Sequence, residues 1–269
     1  MQTTSLSPAS PLVFITGASS GIGQALAWRF HEAGYRLALV ARRTSEVKTW
    51  AEHQKISASS YVIYSADVAD TDSIAAAGAA CIVQQGLPDV VIANAGISVG
   101  MDTAVRADID VMAQTFATNN IGLAATFHPF MAGMEQRKTG ALVGIASVAA
   151  IRGLPGHGAY CASKAAVLAY CESLRGEMRA ATGKNGVKVV TIAPGYIDTP
   201  LTRGNTYSMP FLMQAEDFAD QAFKAVQAGT SYCVIPWQMG VVAKLLRVLP
   251  NWLYDIALSG RPRKKRKGE

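Results

Sequence analysis

Short apolar runs recur along this chain of 269 residues, each closed by small or turn-forming residues. Leu12, Val13, Phe14 and Ile15 run together and stop at Thr16 and Gly17; stretches 37–41, 61–64, 89–93, 141–146, 187–192 and 232–235 repeat the form. Continuous runs of this length suit strands buried on both faces. Between them the period lengthens. Stretches 25–33, 108–135, the segment after Tyr160 and 215–228 have helical character, clearest where Val167, Cys171, Leu174 and Met178 fall four, three and four apart. Pro129 perturbs the second of these. Strands alternating with helices predict an α/β fold, a doubly wound parallel sheet with helices on both faces. No linker divides residues 11–236, so one domain is expected there.

Half of the residues are hydrophobic, ample for a large core. Residues 1–10 are Ser/Thr/Pro-rich and read as a loose arm. Cys81, Cys161, Cys171 and Cys233 have neither C-x-x-C nor His-clustered spacing, and no secretory leader pattern precedes the first strand. Reduced thiols, a cytoplasmic location and no metal are the expectation. No apolar run reaches the roughly 18 to 20 residues that span a bilayer. The net charge of +6 is local: without Arg261, Arg263, Lys264, Lys265, Arg266 and Lys267 the chain has 19 basic and 19 acidic residues. A solvated tail is the simplest reading of that block; anionic lipid comes next, and nucleic acid is not favoured.

The first strand turns into the first helix through Thr16, Gly17, Ala18, Ser19, Ser20, Gly21, Ile22 and Gly23, a T-G-x-x-x-G-x-G pattern. Glycines there let a backbone approach a pyrophosphate, whose charge rests on the helix N-terminus. Tight helix–strand packing is the bland alternative. The G-K-[S/T] ending of a P-loop is missing, which argues against a nucleoside triphosphatase. The second strand ends at Arg42 and Arg43, with no carboxylate between Glu32 and Glu46. An acidic residue there would suit the ribose of NAD, whereas arginine suits the 2′-phosphate of NADP, so NADP(H) is expected over NAD(H).

Tyr160 and Lys164 are four residues apart at the start of a predicted helix, on one face. A phenol has a pKa of about 10, and a neighbouring cation lowers it toward a useful range. Beside a nicotinamide, Tyr160 would be the general acid for carbonyl reduction or the base for alcohol oxidation, with Lys164 tuning it and holding ribose hydroxyls. Ser147 would hydrogen-bond the substrate oxygen. Singly, each residue is unremarkable.

Together with Asn94, Ala95 and Gly96, and with Pro194 and Gly195, these motifs resemble the short-chain dehydrogenase/reductases, single-domain branch, over about residues 11–235. The resemblance implies a Rossmann fold with seven parallel strands ordered 3-2-1-4-5-6-7 and a catalytic tetrad of Asn119, Ser147, Tyr160 and Lys164. Asn119 would hold a water of a proton relay, with Asn120 its rival. The cofactor residues implied, besides Arg42, Arg43, Tyr160 and Lys164, are Gly17, Ser19, Ser20, Gly21, Ile22 and Gly23 in the turn, Asp67 and Val68 at the adenine, and Asn94, Ala95 and Gly96, of which Asn94 would steady the sheet beside the cofactor. Pro194, Gly195, Ile197 and Thr199 would seat the nicotinamide. A homo-oligomer, dimer or tetramer, is also implied.

A substrate lid is expected over residues 198–214, where Leu201, Tyr207, Met209, Pro210, Phe211, Leu212 and Met213 suit a lipophilic carbonyl or alcohol substrate. Residues 237–260 exceed the family core. Val241, Val242, Leu245, Leu246 and Leu249 form one apolar helical face, opposite Lys244 and Arg247, and Trp252, Leu253, Tyr254 and Ile256 follow Pro250. This extension would touch a membrane surface peripherally, cover the substrate pocket or meet a second copy. The competing reading of the whole is a non-catalytic NADP-sensing protein on the same fold.

Overall fold

Seven strands form one parallel sheet, in which the third, second, first, fourth, fifth, sixth and seventh in chain order lie side by side. The computed structural model describes residues 10–203, 205, 208–260 and 263–266. The strands are β1 (Leu12–Thr16), β2 (Arg36–Ala41), β3 (Tyr61–Ser65), β4 (Val90–Ala93), β5 (Ala141–Ile145), β6 (Lys188–Pro194) and β7 (Tyr232–Ile235). Alternate side chains of β1 divide between two cores: Val13 and Ile15 meet Leu26, Phe30 and Phe218 on one face, while Leu12 and Phe14 meet Phe127, Phe130 and Met134 on the other. Burial on both faces is why the strands read as continuous apolar runs.

On the first face lie α1 (Gly21–Glu32), α2 (Thr44–His53) and α7 (Ala215–Ala228); on the second lie α3 (Thr71–Gln85), α5 (Gly122–Arg137) and α6 (Gly158–Thr182). The long helical stretch before β5 is α4 (Arg106–Phe116), a π-helical turn at Ala117–Ile121, and α5. Pro129 sits inside α5. A Cβ on Gly78 of α3 would lie 2.6 Å from the Pro129 ring, so glycine lets the two helices close up at the proline.

Past β7 the chain forms α8 (Trp237–Val248) and α9 (Asn251–Leu258), separated at Pro250 as its position predicts. The expected single apolar face divides in two. Val242 and Leu246 turn inward with Met239, Ala243 and Tyr254 to line a cavity, whereas Trp237, Val241, Leu245, Val248, Trp252 and Ile256 face outward. Arg152, in the loop after β5, holds this extension down. Its guanidinium donates to the carbonyls of Leu246 at 2.6 Å and Leu249 at 2.7 Å and to Asn251 Oδ1 at 2.8 Å. It also lies 3.9 Å over the Tyr254 ring. Carbonyls left open at a helix end are thereby satisfied by a side chain from the domain beneath.

The basic block is docked on the body where it is described, with Arg263 and Lys265 exposed and Lys264 and Arg266 partly buried. Arg263 pairs with Asp102 at 3.0 Å and Arg266 with Asp108 at 2.6 Å, because those two carboxylates open a matching site across the loop before α4. Arg261, Lys267 and the arm 1–9 lie outside the described residues, as does Tyr207 of the lid. Among the described residues no helix is long and apolar enough to cross a membrane.

Candidate active site

The turn between β1 and α1 is built by close approach. Gly17 has φ +70°, and a Cβ on Gly23 would collide with the Gly17 carbonyl. Asn94 ties this turn to the end of β4: its Nδ2 donates to Thr16 O at 2.9 Å, and its backbone N–H donates to Thr16 Oγ1 at 3.1 Å. Thr16 thus serves two strands, a role its place in the motif did not announce.

Above this turn lies a cleft of about 440 Å³. Its wall contains Gly17, Ser19, Ser20, Gly21, Ile22, Gly23, Arg42, Arg43, Asp67, Val68, Asn94, Ala95, Gly96, Pro194, Gly195, Ile197 and Thr199, together with Tyr160 and Lys164. All the residues expected to touch a dinucleotide therefore share one concavity at the carboxyl ends of the strands, where doubly wound folds hold ligands. Arg42 pairs with Asp67 at 3.3 Å. Arg43 pairs with Glu46 at 2.8 Å and donates to Ser19 Oγ at 3.4 Å. Both guanidiniums are more than half exposed, at the end of the cleft, although each is paired with a carboxylate.

Ser147 follows β5 and caps a short 3₁₀ turn, its Oγ accepting from Ala149 N–H at 3.1 Å. It is hydrogen-bonded to the Tyr160 phenol. Lys164, 4% exposed, donates from Nζ to Ile145 O at 2.8 Å and lies 5.9 Å from the centroid of the Tyr160 ring. Burial pushes the phenol of Tyr160 above its ordinary value, with the Ser147 hydrogen bond opposing. Burial also pulls Lys164 down to about 8. The expected lowering of Tyr160 by Lys164 is not seen in this geometry: desolvation is the dominant influence, and what opposes it is the Ser147 hydrogen bond.

Asn119 lies in the π-helical turn, fully buried. Its Oδ1 accepts from Ile97 N–H at 2.8 Å, and its Nδ2 donates to Ile97 O at 3.0 Å and Ser163 Oγ at 2.9 Å. Both ends of the carboxamide are engaged in holding the loop after β4 against α6. A Cβ on Gly96 would lie 3.2 Å from Asn119 Oδ1 and 3.4 Å from Lys164 Nζ, so the two groups converge at that glycine. Asn120 instead donates to Ser163 O at 2.8 Å, and its Oδ1 is buried without a partner. Ser163, which no motif singled out, joins both asparagines to the helix that carries Tyr160 and Lys164.

A second cavity, of about 170 Å³, adjoins the cleft; Ser147, Tyr160, Gly195, Leu201 and Thr202 line both. Most of its remaining wall is apolar, from Val148, Leu154, Pro210, Met239, Val242 and Leu246. The segment leaving β6 is pinned where it begins and ends: Ile197 bridges Met213, and Thr202 Oγ1 donates to Ile197 O at 2.6 Å.

The model of the family described as short chain dehydrogenase matches residues 11–209. This chain is a member of the short-chain dehydrogenases. Among curated proteins it is 35% identical over 243 residues to an uncharacterized oxidoreductase of Myxococcus xanthus, covering 90% of this chain and 94% of that one. It is 31% identical over 273 residues to dehydrogenase/reductase SDR family member 7B of Mus musculus, covering 96% and 83%. Solved structures agree in fold. A short-chain dehydrogenase/reductase from Burkholderia phymatum in complex with NAD superposes with a TM-score of 0.79 at 22% identity, covering 95% of this chain and 97% of that one. A form of actinorhodin polyketide ketoreductase with NADPH superposes at 0.77 with 25% identity, covering 87% and 99%. As a short-chain dehydrogenase the chain is an oxidoreductase of the NAD(P)-binding kind, and its seven-stranded sheet is the family's. Among the described residues no group of histidine, cysteine, aspartate or glutamate is arranged to hold a metal ion.

Proposed function

We propose that this short-chain dehydrogenase is an NADP(H)-dependent reductase or dehydrogenase of lipophilic carbonyl and secondary alcohol compounds. The observation that carries the reading is the shared wall: Ser147 and Tyr160 line both the glycine-floored cleft and the apolar cavity. A nicotinamide nucleotide, when bound, supplies or accepts hydride at a carbon. The protein's task is then the proton and the oxygen. Tyr160 gives its phenolic proton to the substrate oxygen in reduction, or takes it in oxidation, while Ser147 hydrogen-bonds the same oxygen. A phenol raised by burial stays protonated through neutral pH, which suits the acid role in reduction. Lys164, buried beneath and cationic at neutral pH, would stabilise the phenolate left when Tyr160 gives up its proton. Asn119 holds Ile97 and the loop after β4 against α6, and its convergence with Lys164 at Gly96 supports its part in a proton relay over Asn120.

The preference for NADP(H) rests on Arg42, Arg43 and Ser19 at the end of β2, where a 2′-phosphate would find two guanidiniums and a hydroxyl. The outward stripe from Trp237 to Ile256 supports peripheral contact with a membrane surface or a second copy, and it would act through apolar side chains, since Arg263 and Arg266 are already paired.

Tyr160→Phe is the test. Turnover of NADPH with lipophilic ketones should fall by about 10² to 10⁴, with NADPH affinity nearly intact. A variant that retains near-normal turnover would remove Tyr160 from its role. A wild-type chain that binds NADPH but turns over no member of a graded ketone, aldehyde and alcohol series would favour the nucleotide-sensing alternative.

A further inference from the structure

The basic tail returns to the body through a slot cut by two glycines. A Cβ on Gly100 would collide with the Lys265 carbonyl, and a Cβ on Gly156 would lie 2.8 Å from Lys264 N. Gly100 also forms a parallel bridge with Arg266. The walls of the slot are joined by Met101 N–H donating to Gly156 O at 3.1 Å. Arg266 reaches both oxygens of Asp108, at 2.6 and 3.1 Å, and Arg263 reaches Asp102. Asp108 is buried and also accepts from Asp102 N–H at 2.7 Å. Ion pairs flanking a glycine slot fix the register of the chain between them.

That register places Lys264 in the wall of the apolar cavity, alongside Ser147 and Tyr160. Its ammonium donates to Ser98 Oγ at 3.0 Å, and no carboxylate among the described residues lies within ion-pairing distance of it. Burial holds its pKa below the ordinary lysine value, as for a cation short of a counter-charge. The other polar groups of the wall are neutral or spoken for: His157 is turned to Pro155 O, and Arg152 is occupied by the extension. A half-buried ammonium in the wall of a largely apolar cavity is stabilised when an anion enters with the ligand.

We infer that the substrate carries an anionic group, carboxylate or phosphate, on a lipophilic body, and that Lys264 of the returning tail is the specificity residue that receives it. The apolar wall takes the body, and Ser147 and Tyr160 take the carbonyl; this assignment of ends rests on the reductase reading above. Arg263 and Arg266 are positioning residues. They touch no substrate and act by holding Lys264 in the cavity.

Medium-chain oxo-carboxylates, their phosphate-monoester counterparts and the uncharged methyl esters, with the ketone moved along the chain, would be compared as substrates with NADPH. The anion-to-ester ratio of kcat/KM should favour an anion in the wild type and fall about 30-fold in Lys264→Met. The loss should appear in KM more than in kcat. Arg266→Gln should lower the ratio in the same direction while Lys264 remains in the sequence. Whichever anion shows the larger ratio identifies the headgroup. A ratio near one in the wild type, or equal in wild type and Lys264→Met, overturns the inference. Calorimetric binding of a saturated fatty carboxylate and its methyl ester to the full chain with NADP⁺ gives a readout independent of turnover. Lys264-dependent preference for the carboxylate upholds the inference even if no ketone is reduced, which would fell the reductase reading alone; equal binding of acid and ester overturns the inference even if ketones are reduced.

Discussion

Replacing Lys164 by methionine separates what this residue does for chemistry from what it does to stability. The side chain is 4% exposed and its ammonium has one hydrogen bond, to Ile145 O. Its pKa is about 8 in the folded chain against 10.5 for an ordinary lysine. At 1.36 kcal/mol per unit, holding the charge at pH 7 costs the fold about 3 kcal/mol. The unfolded chain binds more protons between pH 8 and 10.5, so wild-type stability rises with pH across that window. Methionine fills nearly the same volume without a charge to bury, but it leaves Ile145 O without its donor, a loss of about 1 to 2 kcal/mol. Urea unfolding should therefore find Lys164→Met more stable than wild type by about 1 to 2 kcal/mol at pH 7, and the wild type should gain about 2 kcal/mol on the variant by pH 9.5. Turnover should fall by about 10² or more at either pH. A stability difference that does not move with pH would refute the argument, since it would mean that Lys164 is not charged at a cost. A variant both less stable and fully active would refute it doubly.

Three further outcomes follow from particular contacts. Arg42→Ala should weaken NADPH much more than NADH in fluorescence titrations, by about tenfold or more; equal effects on the two would end the 2′-phosphate assignment, and Arg43→Ala tests the second guanidinium in the same way. Gly23→Ala drives a Cβ into the Gly17 carbonyl, so affinity for either nucleotide should drop at least about tenfold, while far-ultraviolet circular dichroism stays near wild type. Arg266 holds the Asp108 carboxyl below its usual range. The tail's contribution to stability should be complete above a pH of about 4 and fade as pH falls through the lower folded pKa, so the urea midpoints of wild type and Asp108→Asn should converge in acid.

Local patterns carried far in this protein. The continuous apolar runs, the glycine turn and the four-residue spacing of Tyr160 and Lys164 are properties of short segments, and they pointed to the sheet and to residues that the fold gathers around one cleft. Asn119 and Asn120 were separable only in three dimensions, because their difference lies in what Ile97 and Ser163 present to them. The expectation that Lys164 would lower Tyr160 came from spacing, which reports a shared helix face but not the depth of either group. Burial decided the direction.

Fold and family were legible in the chain alone, as was the set of residues that line one cleft over the glycine turn, since each depends on periodicity or on motifs a few residues long. Tertiary structure alone decided what closes the substrate side. Arg152 and Leu246 are 94 residues apart, and Lys264 and Ser98 are 166 apart. A run of lysines and arginines has the composition of a solvated tail wherever it occurs. Only the glycine slot and the carboxylates of Asp102 and Asp108, distant in the chain, turn it into the wall of a cavity.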